Sequence, residues 1–153
     1  MHKCILSTAS PVFASMFRTH NPEVVCDIIR DYGYKVIEAA VNLMYKREFN
    51  ADLTVKTLLN LFRFSKKYEL VDEIQIFEKL VEKINVTTIR RILSFSFQHA
   101  MSELYQRCVD YFAKDFEVRI CQINDLESLN MEFVNDVIKK YQVYKKKWNS
   151  LQC

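Results

Sequence analysis

The residues able to do chemistry in this chain are three histidines, five cysteines and a few serines near the start. Zinc needs Cys and His ligands at close, paired spacings. Here Cys4, Cys26, Cys108, Cys121 and Cys153 stand far apart, with no Cys-x-x-Cys pair. His2, His20 and His99 sit in no ligand spacing either. Ser7, Ser10 and Ser15 lie near His2 and His20, so a nucleophile and a base share one stretch. A hydrolytic triad also needs a third group to orient the base, and nothing in this stretch points to one. There is no Gly-rich phosphate loop, no Gly-x-Ser-x-Gly and no His-Glu-x-x-His. No enzyme activity, cofactor or metal is expected. The odd, scattered cysteines read as unpaired thiols of a reducing compartment, hence cytoplasm or nucleus.

A second pattern is electrostatic. Lys139-Lys140 and Lys145-Lys146-Lys147 alternate with Tyr141, Tyr144 and Trp148. Lysine interleaved with aromatics suits a nucleic-acid or anionic-membrane face. Lysine is equally at home on the solvated C-terminal turns of a helix, where the dipole favours cations. The net charge of only +3 favours this second account. No nucleic-acid or membrane partner is expected.

The elements that carry these residues are helices. The 153 residues include one Gly and two Pro, too few turn-formers for an all-β fold. Half of the residues are apolar and 13% aromatic, enough to build a core. No run of about 20 apolar residues could cross a membrane, and no secretory signal precedes the first helix. Two short helices meet at Ser10-Pro11. The serine can accept an orphan N–H of the second helix, and proline suits its first position. Leu6, Val12, Phe13, Met16 and Phe17 supply the apolar faces. Val24 to Ile29 is the single strand candidate. A helix follows from about Tyr34 to Lys46, with Ile37, Ala40, Val41, Met44 and Tyr45 as its stripe. Thr54 caps the next, which turns Val55, Leu58, Leu59 and Phe62 inward. Asp72 and Glu73 open another, with Ile74, Phe77, Leu80, Val81 and Ile84 inward. Asn85-Val86-Thr87-Thr88 starts afresh and marks a domain boundary, with Ile89, Ile92 and Leu93 facing inward. A helix from about Met101 carries Leu104, Tyr105, Cys108, Val109, Phe112 and Phe116. Asn130 caps the last, with Val134, Val137, Ile138, Tyr141, Tyr144 and Trp148 as its face.

The order His2-Lys3-x-x-Leu6-x-x-x-Ser10-Pro11-Val12-Phe13-x-x-Met16-Phe17 resembles the central helical pair of BTB/POZ domains, especially the speckle-type POZ and Kelch-like groups. Met44-Tyr45 is similar to the end of the family's next helix, with Lys46-Arg47 in place of its Thr-Gly turn. Lys67-Tyr68-Glu69-Leu70 is similar to its Lys-Tyr-x-Leu. Residues 85–140 resemble the BACK region that follows BTB in these proteins. Leu104, Cys108 and Phe112 stand at its Leu-x-x-x-Cys-x-x-Phe core, with one residue more between Cys108 and Phe112. Asp115-Phe116-Glu117-Val118 and Leu129-Asn130-Met131-Glu132 stand at two of its further motifs.

The resemblance implies a mainly α fold. Residues 1–84 form a BTB/POZ helical cluster with one remaining short strand, and residues 85–153 a BACK-like helical region. It implies a non-enzymatic protein-interaction module, an adaptor-type component of a cullin-3 RING ubiquitin ligase. The alternative is a BTB self-association scaffold or transcription cofactor without cullin binding. The family domain begins with a strand hairpin before the His-Lys helix; the absence of that hairpin here implies either a truncated or misannotated product or a degenerate member, and a weakened BTB homo- or heterodimer. Cullin-binding members place an apolar residue, any residue, then Glu after the Met-Phe pair. Here the match is Asn21-Pro22-Glu23, which keeps the acid and loses the anchor. The docking residues carried over are Phe17, Thr19, His20, Asn21, Glu23 and Tyr68.

Overall fold

The computed structural model describes residues 2–18, 31–49, 53–123 and 129–151. All regular structure among them is helical, so the fold is mainly α. The expected strand at Val24–Ile29 lies outside the described residues. The chain divides into two compact units, Met1–Glu82 and Lys83–Cys153.

The first unit begins with α1 (Lys3–Ala9) and α2 (Pro11–Arg18). They meet at Ser10, whose extended backbone breaks the helix. Its Oγ accepts the Phe13 N–H at 3.0 Å, and Pro11 occupies the first helical position. Then come α3 (Tyr34–Lys46), α4 (Val55–Tyr68) and α5 (Glu73–Glu82). The Thr54 hydroxyl caps α4 by accepting the Thr57 N–H at 3.2 Å. Helix α4 is central: α2, α3 and α5 all pack on it, and α1 packs on α2 and α3. It is therefore buried nearly all round, through Leu58, Leu59, Leu61, Phe62, Phe64, Ser65 and Tyr68.

Two helices of this unit face differently from their apolar spacing. In α3 the buried side is Val36, Ala39, Ala40, Leu43 and Met44, while Ile37, Val41 and Tyr45 are half-buried. Small alanines face the neighbours and allow close helix approach, so the bulkier stripe is displaced toward the edge. In α5, Ile76, Phe77 and Leu80 are buried, but Ile74 is 74% exposed. Both α3 and α4 end in left-handed residues that are not glycine, Arg47 (φ 56°) and Glu69 (φ 48°). At Glu69 the next N–H, of Leu70, returns to the Ser65 carbonyl at 3.0 Å and buries the Leu70 side chain.

The second unit contains α6 (Ile89–Gln98), α7 (Ser102–Lys114), α8 (Phe116–Gln122) and α9 (Met131–Leu151). The α6 start is prepared by Asn85, whose Oδ1 accepts the N–H groups of Thr87 and Thr88 at 2.9 and 3.0 Å. Helix α7 is the hub, packed by α6, α8 and α9. Ile89, Ile92, Leu93, Leu104, Cys108, Val109, Phe112, Phe133 and Val137 form its core. The Asn130 side chain caps α9 through the Glu132 N–H at 2.8 Å.

The stripe expected to run unbroken from Leu104 to Phe116 is interrupted. Asp115 leaves helical geometry, and Phe116 opens the separate helix α8, where its ring lies 5.1 Å from Tyr141. Cys121 lies in the last turn of this helix. On α9 the expected inward face holds at Val137 but not at Ile138 or Trp148, both exposed. Phe133 takes the inward place instead.

Candidate protein-interaction surface

The junction of α1, α2 and α4 is held by polar bonds that the core would not tolerate unpaired. Ser10 is fully buried, and its hydroxyl donates to the Tyr68 carbonyl while accepting from Phe13. One residue earlier, the Ala9 carbonyl accepts the Val71 N–H at 3.0 Å. The helical pair is thus tied to both sides of the turn that ends α4.

On this frame the aromatic residues assemble into one wall. Phe13 stacks on Tyr68 with centroids 5.0 Å apart and planes 9° from parallel. Phe17 stacks on Phe13 at 6.3 Å, extending the wall outward. Phe64 lies 4.5 Å from Tyr68, and Tyr32 meets Phe64 edge-on at 5.2 Å. Cations rim it: Lys3 lies over Phe17 at 5.7 Å, and Arg63 over Tyr32 at 4.9 Å. Lys67 pairs with Asp31 at 2.8 Å. Hydrogen bonding to Lys67 lowers the Asp31 pKa, and the same bond raises that of Lys67. Burial raises the Tyr68 phenol.

Of the residues expected to dock a partner, Phe17 is half-buried at the end of α2. Thr19, His20, Asn21 and Glu23 lie outside the described residues. Tyr68 is 2% exposed. Its ring backs Phe13, so it is packed inside the first unit rather than presented at the surface. The residues that spacing did not single out are Tyr32, Phe64 and the ion pair of Arg47 with Asp72. Asp72 is 5% exposed, and Arg47 reaches it from the residue that ends α3.

Among the described residues no three His, Cys, Asp or Glu side chains gather to hold a metal ion. Cys108 is fully buried, and burial pushes its thiol up to about 12. Such a thiol is unreactive at neutral pH. In the same unit Tyr105 donates to Asp136 at 2.8 Å, and burial raises its phenol. Among the described residues no helix is long and apolar enough to cross a membrane.

The first unit is thus a helical cluster whose aromatic wall is buried and rimmed by charged side chains. The sequence model of the BTB/POZ domain family matches residues 1–85, and the chain belongs to that family. No curated protein matches the chain. BTB/POZ domains are protein–protein interaction domains, not an enzyme family, and they work through oligomers and protein partners.

Proposed function

We propose that the chain is an adaptor-type component of a cullin-3 RING ubiquitin ligase, of the speckle-type POZ and Kelch-like kind. Residues 1–84 are its BTB/POZ domain and dock the cullin by helix packing. Residues 85–153 are a BACK-like extension. The observation that carries this reading is the BTB/POZ match over residues 1–85. The half-buried Phe17 at the end of α2 adds to it. The BACK reading draws support from Leu104, Cys108 and Phe112, all buried on one face of α7. Thr19, His20, Asn21 and Glu23 follow Phe17 in the docking segment, and Tyr68 serves as its buried support. The setting is the cytoplasm or nucleus.

The test is a titration of the folded chain against the cullin-3 N-terminal domain, with mass measured by light scattering on the same sample. Saturable binding is the expected result. A folded chain that does not bind overturns the reading.

The second reading is a BTB scaffold or transcription cofactor that associates only with itself or other BTB chains. Asn21 favours it, because an apolar anchor at a buried contact is worth several kcal/mol. A stable oligomer without cullin binding selects it.

A further inference from the structure

Helix α9 carries a surface that the proposed cullin contact does not use. The last carboxylate before its end is Asp136, and Lys139, Lys140, Lys145, Lys146 and Lys147 follow. Two are neutralised within the unit: Lys140 pairs with Asp110 at 3.0 Å and Lys139 with Asp136 at 3.6 Å. Lys145, Lys146 and Lys147 are exposed and have no carboxylate partner among the described residues. The formal net charge of the chain, +3, equals the contribution of these three lysines. Beside them Trp148 is 68% exposed, on the same side of the helix as Tyr144, about 40° away at four residues' separation. The helix dipole accounts for lysine at this end. It does not account for an exposed indole, whose apolar area is costly to leave in water.

We propose that Tyr144, Lys145, Lys147 and Trp148 form a docking site for an acidic protein segment carrying a bulky apolar side chain. The indole and the Tyr144 ring receive the apolar group, and the lysines its flanking carboxylates. Charge complementarity selects an acidic partner, and aromatic residues within a charged rim are the usual anchors of protein contacts. The other anionic surfaces fit less well. A bilayer needs one wide apolar face; Val143, the exposed apolar residue nearest in sequence to this turn, points about 140° away from Trp148. Nucleic acid needs an extended basic track, and the uncompensated charge here spans a single turn.

Trp148 is the only tryptophan in the chain, so its fluorescence reports this site alone. The probe is a synthetic helical peptide of alternating Glu and Leu turns, titrated into the full chain at low salt. Expected are a blue shift of the emission and protection from acrylamide quenching. Replacing the two flanking lysines (Lys145→Gln, Lys147→Gln) is expected to weaken binding at least about tenfold while leaving the circular dichroism unchanged. A Glu peptide lacking Leu is expected to give no blue shift. Failure of the Glu-Leu peptide to shift the emission overturns the proposal, as does unchanged affinity in the double variant. A shift seen only with phosphatidylserine vesicles or only with single-stranded RNA overturns the choice of partner. A shift that depends on chain concentration without peptide assigns the face to a second copy and overturns it as well.

Discussion

The Ser10 hydroxyl donates to the Tyr68 carbonyl across 58 residues of sequence, in the buried centre of the first unit. The same oxygen accepts the Phe13 N–H. One side-chain atom thereby starts α2 and terminates α4. Ser10→Ala leaves both a buried carbonyl and a helix N–H without a partner. It is expected to destabilise the chain by about 1–3 kcal/mol. Urea unfolding checks this. A loss within error of zero means that water replaces the hydroxyl.

Arg47 sets two effects against each other. Its left-handed backbone (φ 56°) costs about 1–2 kcal/mol in a residue with a Cβ, and glycine would remove that. Its guanidinium pairs with the buried Asp72, and a hydrogen bond to a charged group contributes about 1.5–3 kcal/mol. Arg47 is partly exposed, so screening reduces that contribution. Arg47→Gly is expected to be destabilising on balance, by about 1 kcal/mol. Adding Asp72→Asn should recover part of the loss, since no unpaired charge then remains buried. Denaturant midpoints of the two single variants and the double variant decide it.

Cys108 is raised from 9.0 to about 12 by burial. In a chain with Cys26→Ser and Cys153→Ser, a thiol reagent at pH 8 should modify Cys4 and Cys121, both exposed, and spare Cys108 until denaturant is added. The linkage has a definite sign. Above pH 9.0 the unfolded thiol loses its proton while the folded one keeps it, so the unfolded state binds fewer protons. The stability held by the buried thiol is complete below pH 9.0 and is lost as pH rises toward about 12. The stability gap between the parent and Cys108→Ala should narrow over that range.

Phe13 and Phe17 stack on each other but differ in burial. Phe13→Ala empties a core position and is expected to cost about 3–5 kcal/mol. Phe17→Ala should cost about 1 kcal/mol, because its ring is already partly in water. Under the cullin reading, Phe17→Ala nonetheless weakens binding to the cullin-3 N-terminal domain. Calorimetric titration beside thermal melts separates the two effects. Intact affinity in the folded variant removes Phe17 from the docking surface.

The sequence alone determined whatever depends on residues within about one helical turn. The Ser10-Pro11 start of α2, the Thr54 and Asn130 caps and the bounds of α3 were all legible, because a cap is satisfied by N–H groups two or three residues away. The order of residues from His2 to Phe17 also carried the BTB/POZ family. Tertiary structure decided which faces are buried. Apolar spacing placed Ile74 and Trp148 inward, yet both stand in water, while Ala39 and Ala40 face the neighbours of α3. Periodicity says which residues share a side of a helix, and not whether another helix covers it. The burial of Tyr68, the Arg47–Asp72 pair and the bond from Ser10 to Tyr68 each join residues distant in the chain. Only packing brings such residues together, since nothing in local backbone geometry relates them.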